Sequence, residues 1–190
     1  MAHFLQANCM QSKIKILGHA VHPMLVPFPI AFNTATMVCC IVYANNYNPF
    51  WFQVAFIANC VAIVTAAIAI LPGLIDWLSI PELTDAKSTG LKHMLANVFS
   101  LGLFTANAAI MFSEKETDKP SAGSHVMMTV FGFIIMLYAG FKGWKMVQTY
   151  HIGIDDVPHE EIPEQKEVEK NANEIFTDTK ENASERETSK

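Results

Sequence analysis

The sequence predicts an all-α polytopic membrane protein: an antiparallel four-helix transmembrane bundle followed by a disordered acidic tail. Three observations predict it. Four apolar runs, residues 24–43, 51–71, 93–112 and 126–147, each hold about 20 residues, the length a helix needs to cross roughly 30 Å of hydrocarbon. None shows the polar face of a soluble amphipathic helix, and a helix apolar all round belongs in a membrane or a large core; 190 residues cannot build such a core around four of them. Charge divides the chain. Residues 1–148 hold eight Lys against six Asp and Glu, whereas residues 149–190 hold five Lys and Arg against twelve acids. The expected organisation is an N-terminal flank (1–13), a four-helix membrane domain (14–154) and a tail (155–190). No internal repeat stands out in the residues.

The flank scatters polar residues and places its lysines after a short apolar patch, which is not the order of a signal peptide. The first span is then expected to act as the insertion signal. Its entry, Gly18 to Pro29, carries Pro23, Pro27 and Pro29. Proline suits the first turn of a helix. A continuous helix from Pro23 sets the Pro27 ring against the Pro23 carbonyl at a cost of about 3 kcal/mol, so residues 22–29 are expected to be irregular. The second span closes on Pro72-Gly73, a predicted break that frees carbonyls near Ile68 and Ala69. Asp76 follows it, the one acid inside an apolar run. His93 opens the third span and starts a polar stripe, Asn97, Ser100 and Asn107, on one helical face; that face should point into the bundle. His125, at the start of the fourth span, is expected at the interface. His151 follows that span. Asn33, Asn59 and Asn107 are expected to bond between helices. Connections at 44–50, 81–91 and 113–124 are short enough for antiparallel neighbours. The tail has too few apolar residues to offset its ordering entropy, with a short helix conceivable over 164–176.

Lysine bias sets orientation. Lys13, Lys15, Lys87, Lys92, Lys142 and Lys145 flank one side; Lys115 and Lys119 flank the other. This predicts an inner-membrane protein with both termini cytoplasmic. Cys9, Cys39, Cys40 and Cys60 show no Cys-x-x-Cys spacing and read as small packing residues.

The chemistry gathers at one end. In an up-and-down bundle, His19, His22, Asp76, His93 and His151 fall in the same leaflet, and an ionisable group at membrane depth points to function. Each histidine alone also suits an interfacial anchor. Together, His22 and His93 are the expected ligand pair for a cofactor, with His19 or His151 as substitutes. A metal ion would draw on His19, His22, Asp76 and His93, and Asn97 and Ser100 would line the cavity.

The runs GHAVHPMLVPFPIAF and LPGLIDW, His93-x-x-x-Asn97 and Tyr150-His151-Ile152-Gly153 resemble a bacterial family of four-helix transmembrane domains of unknown function (DUF 2231). The resemblance covers residues 14–154 and implies the fold. Some members are fused to Rieske-type iron–sulfur domains, which implies redox work at the membrane; this chain has no Rieske ligand pattern of its own. Three functions are expected to compete. One is a redox-associated subunit binding one b-type haem or a metal ion. Another is a cation- or proton-binding transport component, which with four helices would need a homo-oligomer. The third is a non-catalytic anchor. The expected partners are the lipid bilayer and a redox protein, not nucleic acid.

Overall fold

The computed structural model describes residues 11–153. Cys9, the acidic tail and its conceivable helix lie outside the described residues. Two short strands come first, β1 (Lys15–Ile16) and β2 (His19–Ala20), antiparallel with Lys15 opposite Ala20 and Ile16 opposite His19. Leu17 and Gly18 turn between them at φ 51° and 82°. Positive φ at both central residues gives the hairpin turn whose twist matches its strands.

Helix α1 (Val21–Leu25) is little more than one turn, and α2 (Pro27–Asn46) follows after Val26 alone. The two form one candidate span of 26 residues. This corrects the expectation of irregular backbone over residues 22–29. Pro27 and Pro29 both fall in the first turn of α2, where a missing N–H leaves nothing unpaired. Only Val26 separates the two helices, and the ladder runs through it: its N–H bonds the His22 carbonyl at 3.1 Å and Ile30 N–H reaches the Val26 carbonyl at 3.4 Å.

Helix α3 (Pro49–Ser79) starts on Asn48, whose side chain accepts from Phe50 N–H at 3.0 Å. It passes through Pro72 and does not end there, a second correction. Pro72 removes one N–H and leaves the Ile68 carbonyl without its usual helical donor, but packing keeps the helix whole. Helix α4 (Asp85–Glu114) is capped by Thr84, whose hydroxyl accepts from Lys87 N–H at 3.1 Å. Helix α5 (Ala122–Tyr150) closes on His151 at φ 51°, with Ile152 N–H bonding the Met146 carbonyl at 3.1 Å. That is a Schellman-type ending, with histidine where glycine is usual.

Helix α2 packs chiefly on α3 and α4 chiefly on α5; α2 on α5 and α3 on α4 then close the ring. Much of the interior is small or polar: Ala55, Ala62, Ala139, Thr36, Asn59, Asn107 and Thr129 are all buried, beside the larger Phe52, Phe104 and Met111. The exterior is large and apolar, with Ile57, Val64, Leu71, Phe99, Ile134 and Phe141 each at least half exposed. Water would reverse this order. In lipid the tails are as apolar as leucine, so helices meet through small and polar residues. The four helices are long and apolar enough to span a membrane, and the protein is a multi-pass membrane protein.

The two hairpins also repeat one another. Buried positions recur at a spacing of 70 or 71 residues: Pro29 and Ser100, Thr36 and Asn107, Cys40 and Met111, Asn59 and Thr129, Ala69 and Ala139. Residue types differ at four of these five pairs, which masks the repeat in the sequence, although Ala69 and Ala139, like His22 and His93 and Gly73 and Gly143, are identical. Equal hairpins joined in a ring correspond to an approximate two-fold axis along the bundle, the arrangement of parallel repeats in membrane proteins.

Candidate functional site

One end of the bundle, here called proximal, carries the β hairpin and the α3–α4 connection. The distal end carries the α2–α3 and α4–α5 connections. The proximal end holds a pair of histidines on the approximate axis. His22, from α1, and His93, from α4, stand with ring centroids 6.3 Å apart and planes at 89°.

Both rings are seated in the same way. His22 Nδ1 lies 2.8 Å from the Ala69 carbonyl of α3, and His93 Nδ1 lies 2.8 Å from the Ala139 carbonyl of α5. One helical turn beyond each carbonyl is a glycine. A Cβ on Gly73 would stand 2.7 Å from His22 Nδ1 and Cε1; a Cβ on Gly143 would stand 3.0 Å from His93 Cε1. Each imidazole therefore rests against a backbone notch of its neighbouring helix. A carbonyl only accepts, so each Nδ1 is the donor, and in the neutral ring each Nε2 is left with its lone pair. The ring nitrogens point in widely different directions, so Nε2 turns away from the carbonyl that holds Nδ1. Asn97 donates to His93 Nε2 at 3.1 Å and to the His93 carbonyl at 3.0 Å.

The other expected site residues are arranged differently. Asp76 accepts from Ser12 Oγ at 2.8 and 2.9 Å and from Lys13 N–H at 2.7 Å. It ties down the N-terminal segment. His19 is exposed on the hairpin, with Nδ1 at 3.0 Å from the Leu17 carbonyl. His151 is exposed at the end of α5; its left-handed backbone serves the helix cap. Among the described residues no group of three or more His, Cys, Asp or Glu side chains could hold a metal ion. Of the expected set His19, His22, Asp76 and His93, two imidazoles meet, and the carboxylate is engaged with Ser12 and Lys13. Ser100 is buried and donates to the Gly132 carbonyl at 2.9 Å, so the stripe on α4 does face inward.

Several features lie beyond the sequence reading. His125 lies near the distal end of α5 but faces inward. It is 1% exposed and touches Asn107 and Glu114, because α5 turns that face to the interior. Asn59 was expected to bond between helices, yet neither its amide nitrogen nor its oxygen has a partner. Lys87 is buried, its Nζ 3.0 Å from the Trp77 carbonyl, 3.2 Å from that of Ile80 and 4.1 Å above the Trp77 ring. It ties the end of α3 to the start of α4. The glycines could have been singled out by one signal, since Ala69-x-x-x-Gly73 and Ala139-x-x-x-Gly143 are both small-xxx-small pairs. Cys39 and Cys40 are buried in the distal core and, with Cys60, are free thiols.

A family model described as "Predicted membrane protein (DUF2231)" matches residues 18–156. No curated protein and no solved structure matches the chain.

Proposed function

The chain belongs to this family of predicted membrane proteins, and we propose that it is a redox-associated membrane subunit in which His22 and His93 would hold one b-type haem. The observation that carries the reading is the matched seating of the pair. Both Nδ1 atoms are committed to backbone carbonyls at 2.8 Å, the outer-shell bond that orients a metal-binding imidazole and raises its basicity.

The number of ligands favours haem over a bare ion. A structural metal site takes four protein ligands, and the described residues bring together only two. A haem iron already holds four ring nitrogens and needs axial ligands alone. The bound group would supply one-electron transfer. The chain's own residues hold the rings: Ala69 and Ala139 fix the tautomer, Gly73 and Gly143 admit the imidazoles, and Asn97 retains the His93 carbonyl when Nε2 is taken.

The test is the visible spectrum of the full-length protein, purified in mild detergent from cells supplied with a haem precursor. A Soret band that shifts on reduction is expected. His22→Ala and His93→Ala should each reduce bound haem at least tenfold, since a site with two ligands fails when either is lost. A wild-type protein with neither a Soret band nor haem iron overturns the reading and leaves the pair as a structural lock.

Orientation belongs to the same reading. Six lysines flank the proximal end against two at the distal end, which supports a cytoplasmic proximal end and a redox partner meeting it there. A reporter fused at Asn46 is expected to read outside, and one fused at the C-terminus inside. The reverse pattern would move the site to the outer face.

A further inference from the structure

The distal half of the bundle holds a second polar cluster, far from the histidine pair. His125 Nδ1 lies 2.8 Å from Asn107 Oδ1, and His125 Nε2 lies 3.2 Å from Glu114 Oε2. The amide oxygen only accepts, so Nδ1 carries its proton. Nε2 then faces the carboxyl, free to receive a second one. Glu114 also accepts from Ser121 N–H at 2.7 Å. Its side chain remains 25% exposed where that of His125 is 1% exposed. One carboxyl thus joins outside water to a buried imidazole.

The surroundings leave this pair as the polar entrance. Phe52 packs at 5.7 Å from the His125 ring. Tyr43 and Cys40 are buried nearby on α2, and the Tyr43 hydroxyl donates to the Pro120 carbonyl at 2.9 Å. Lys115 and Lys119 lie over the rings of Phe112 and Tyr47, at 4.4 and 4.0 Å. A cavity of about 360 Å³ opens among Tyr43, Tyr47, Phe52, Lys115 and Glu116.

An independent observation lies deeper. The side chain of Asn59 is fully buried with its nitrogen and oxygen both unpartnered, and Asn33, 7% exposed, has an unpartnered Oδ1. An unpaired polar group at membrane depth is costly, and polar interior sites are where proteins hold water. At 1.5 Å per residue from the distal helix ends, Asn107, Asn59, Asn33 and Ser100 sit at roughly 10, 15, 20 and 21 Å, and His93 at roughly 31 Å. The buried polar groups form a ladder from the distal entrance to the proximal pair.

We propose that the bundle axis is a proton path, entered at Glu114 and His125, carried by water held at Asn59 and Asn33, and ending at His93 and His22. In each passage the Glu114 carboxyl gives a proton to His125 Nε2. The imidazolium swings off the carboxylate, Nε2 releases that proton to interior water while Nδ1 keeps its own, and the ring swings back in the first tautomer. The carboxylate then takes a proton from distal water. One proton enters, one leaves, and no electron moves. The path meets the proposed haem site only at its terminus, so proton flux tests the path and absorbance tests the haem.

The test uses the full chain in liposomes loaded with a pH-sensitive dye, driven by a potassium gradient with valinomycin. Proton flux is expected well above that of protein-free liposomes. Glu114→Gln and His125→Gln should each reduce it at least tenfold. Asn59→Leu should do the same while raising the melting temperature, because it removes the unpartnered amide. Should His125→Gln not fold, Glu114→Gln, which keeps shape and an acceptor, and Asn59→Leu decide the matter. Wild-type flux equal to that of empty liposomes, or unchanged flux in folded variants, overturns the proposal.

Discussion

Gly73→Val is expected to expel the His22 imidazole from its seat and to unsettle the whole proximal end. Even a Cβ at this position would lie 2.7 Å from His22 Nδ1 and Cε1, closer than such contacts occur. The ring cannot swing aside at no cost, because its Nδ1 is held at 2.8 Å by the Ala69 carbonyl. Overpacking of this kind costs about 1–3 kcal/mol, and breaking the carbonyl bond adds to it. Gly143→Ala should act in the same direction but more weakly, its Cβ meeting the His93 ring at 3.0 Å. Gly140→Ala is the control: its Cβ would meet nothing within 4 Å, and alanine favours a helix over glycine. Thermal unfolding in detergent, followed by circular dichroism, reads all three. Should Gly73→Val melt with Gly140→Ala, the notch has no energetic role. Where haem is bound, Gly73→Val should also lose the Soret band.

The second large effect is expected at Lys87. Its ammonium satisfies two carbonyls at the end of α3, those of Trp77 and Ile80, and covers the Trp77 ring. Trp77 in turn donates its indole N–H to the Lys87 carbonyl at 3.1 Å. Lys87→Ala leaves the buried Ile80 carbonyl without a donor, at about 1–3 kcal/mol for an unsatisfied group, while the Trp77 carbonyl keeps the Ile80 N–H at 3.1 Å. It also removes a cation–π contact worth about 0.5–1 kcal/mol. A loss of about 2–3 kcal/mol is expected, measured as lowered thermal stability. Glu82 also reaches Lys87, at 3.2 Å, but its side chain is 81% exposed. Surface ion pairs contribute little, so Glu82→Gln should change almost nothing. Equal losses from the two substitutions would mean that the ion pair, and not the carbonyl clasp, holds the turn.

The Lys87 result bears on how lysines are read in membrane sequences. From its position Lys87 is a positive flank of the α3–α4 connection, one of six lysines at that end. In the structure it keeps that place and also bonds inward. A charge count registers only the first role, because counting treats every lysine as solvated.

Much of the architecture follows from the sequence by itself. Run length and the absence of a polar face determine four membrane helices. Short connections determine their antiparallel order, and that order alone places His22 and His93 at one end. The inward face of α4 follows from the spacing of Asn97, Ser100 and Asn107. These are local or one-dimensional properties, decided by helical period, hydrocarbon thickness and chain reach. Tertiary structure decided the rest. Whether Asp76 meets a histidine or Ser12 depends on where the N-terminal segment folds back, and no helical period encodes that. Pro27 and Pro72 were expected to break helices; Pro27 joined the first turn of α2, while packing carried α3 through Pro72. His125 reads as interfacial from its place near a helix start, yet rotation of α5 turns it onto Asn107 and Glu114. The 70-residue repeat is hard to read in residue identity because most of its paired positions share burial alone, with identical residues at few of them, His22 with His93 and Gly73 with Gly143 among these. Pairing of His22 with His93, each lodged in a glycine notch of the next helix, arises only when four helices close a ring, since each contact belongs to residues that the chain alone holds far apart.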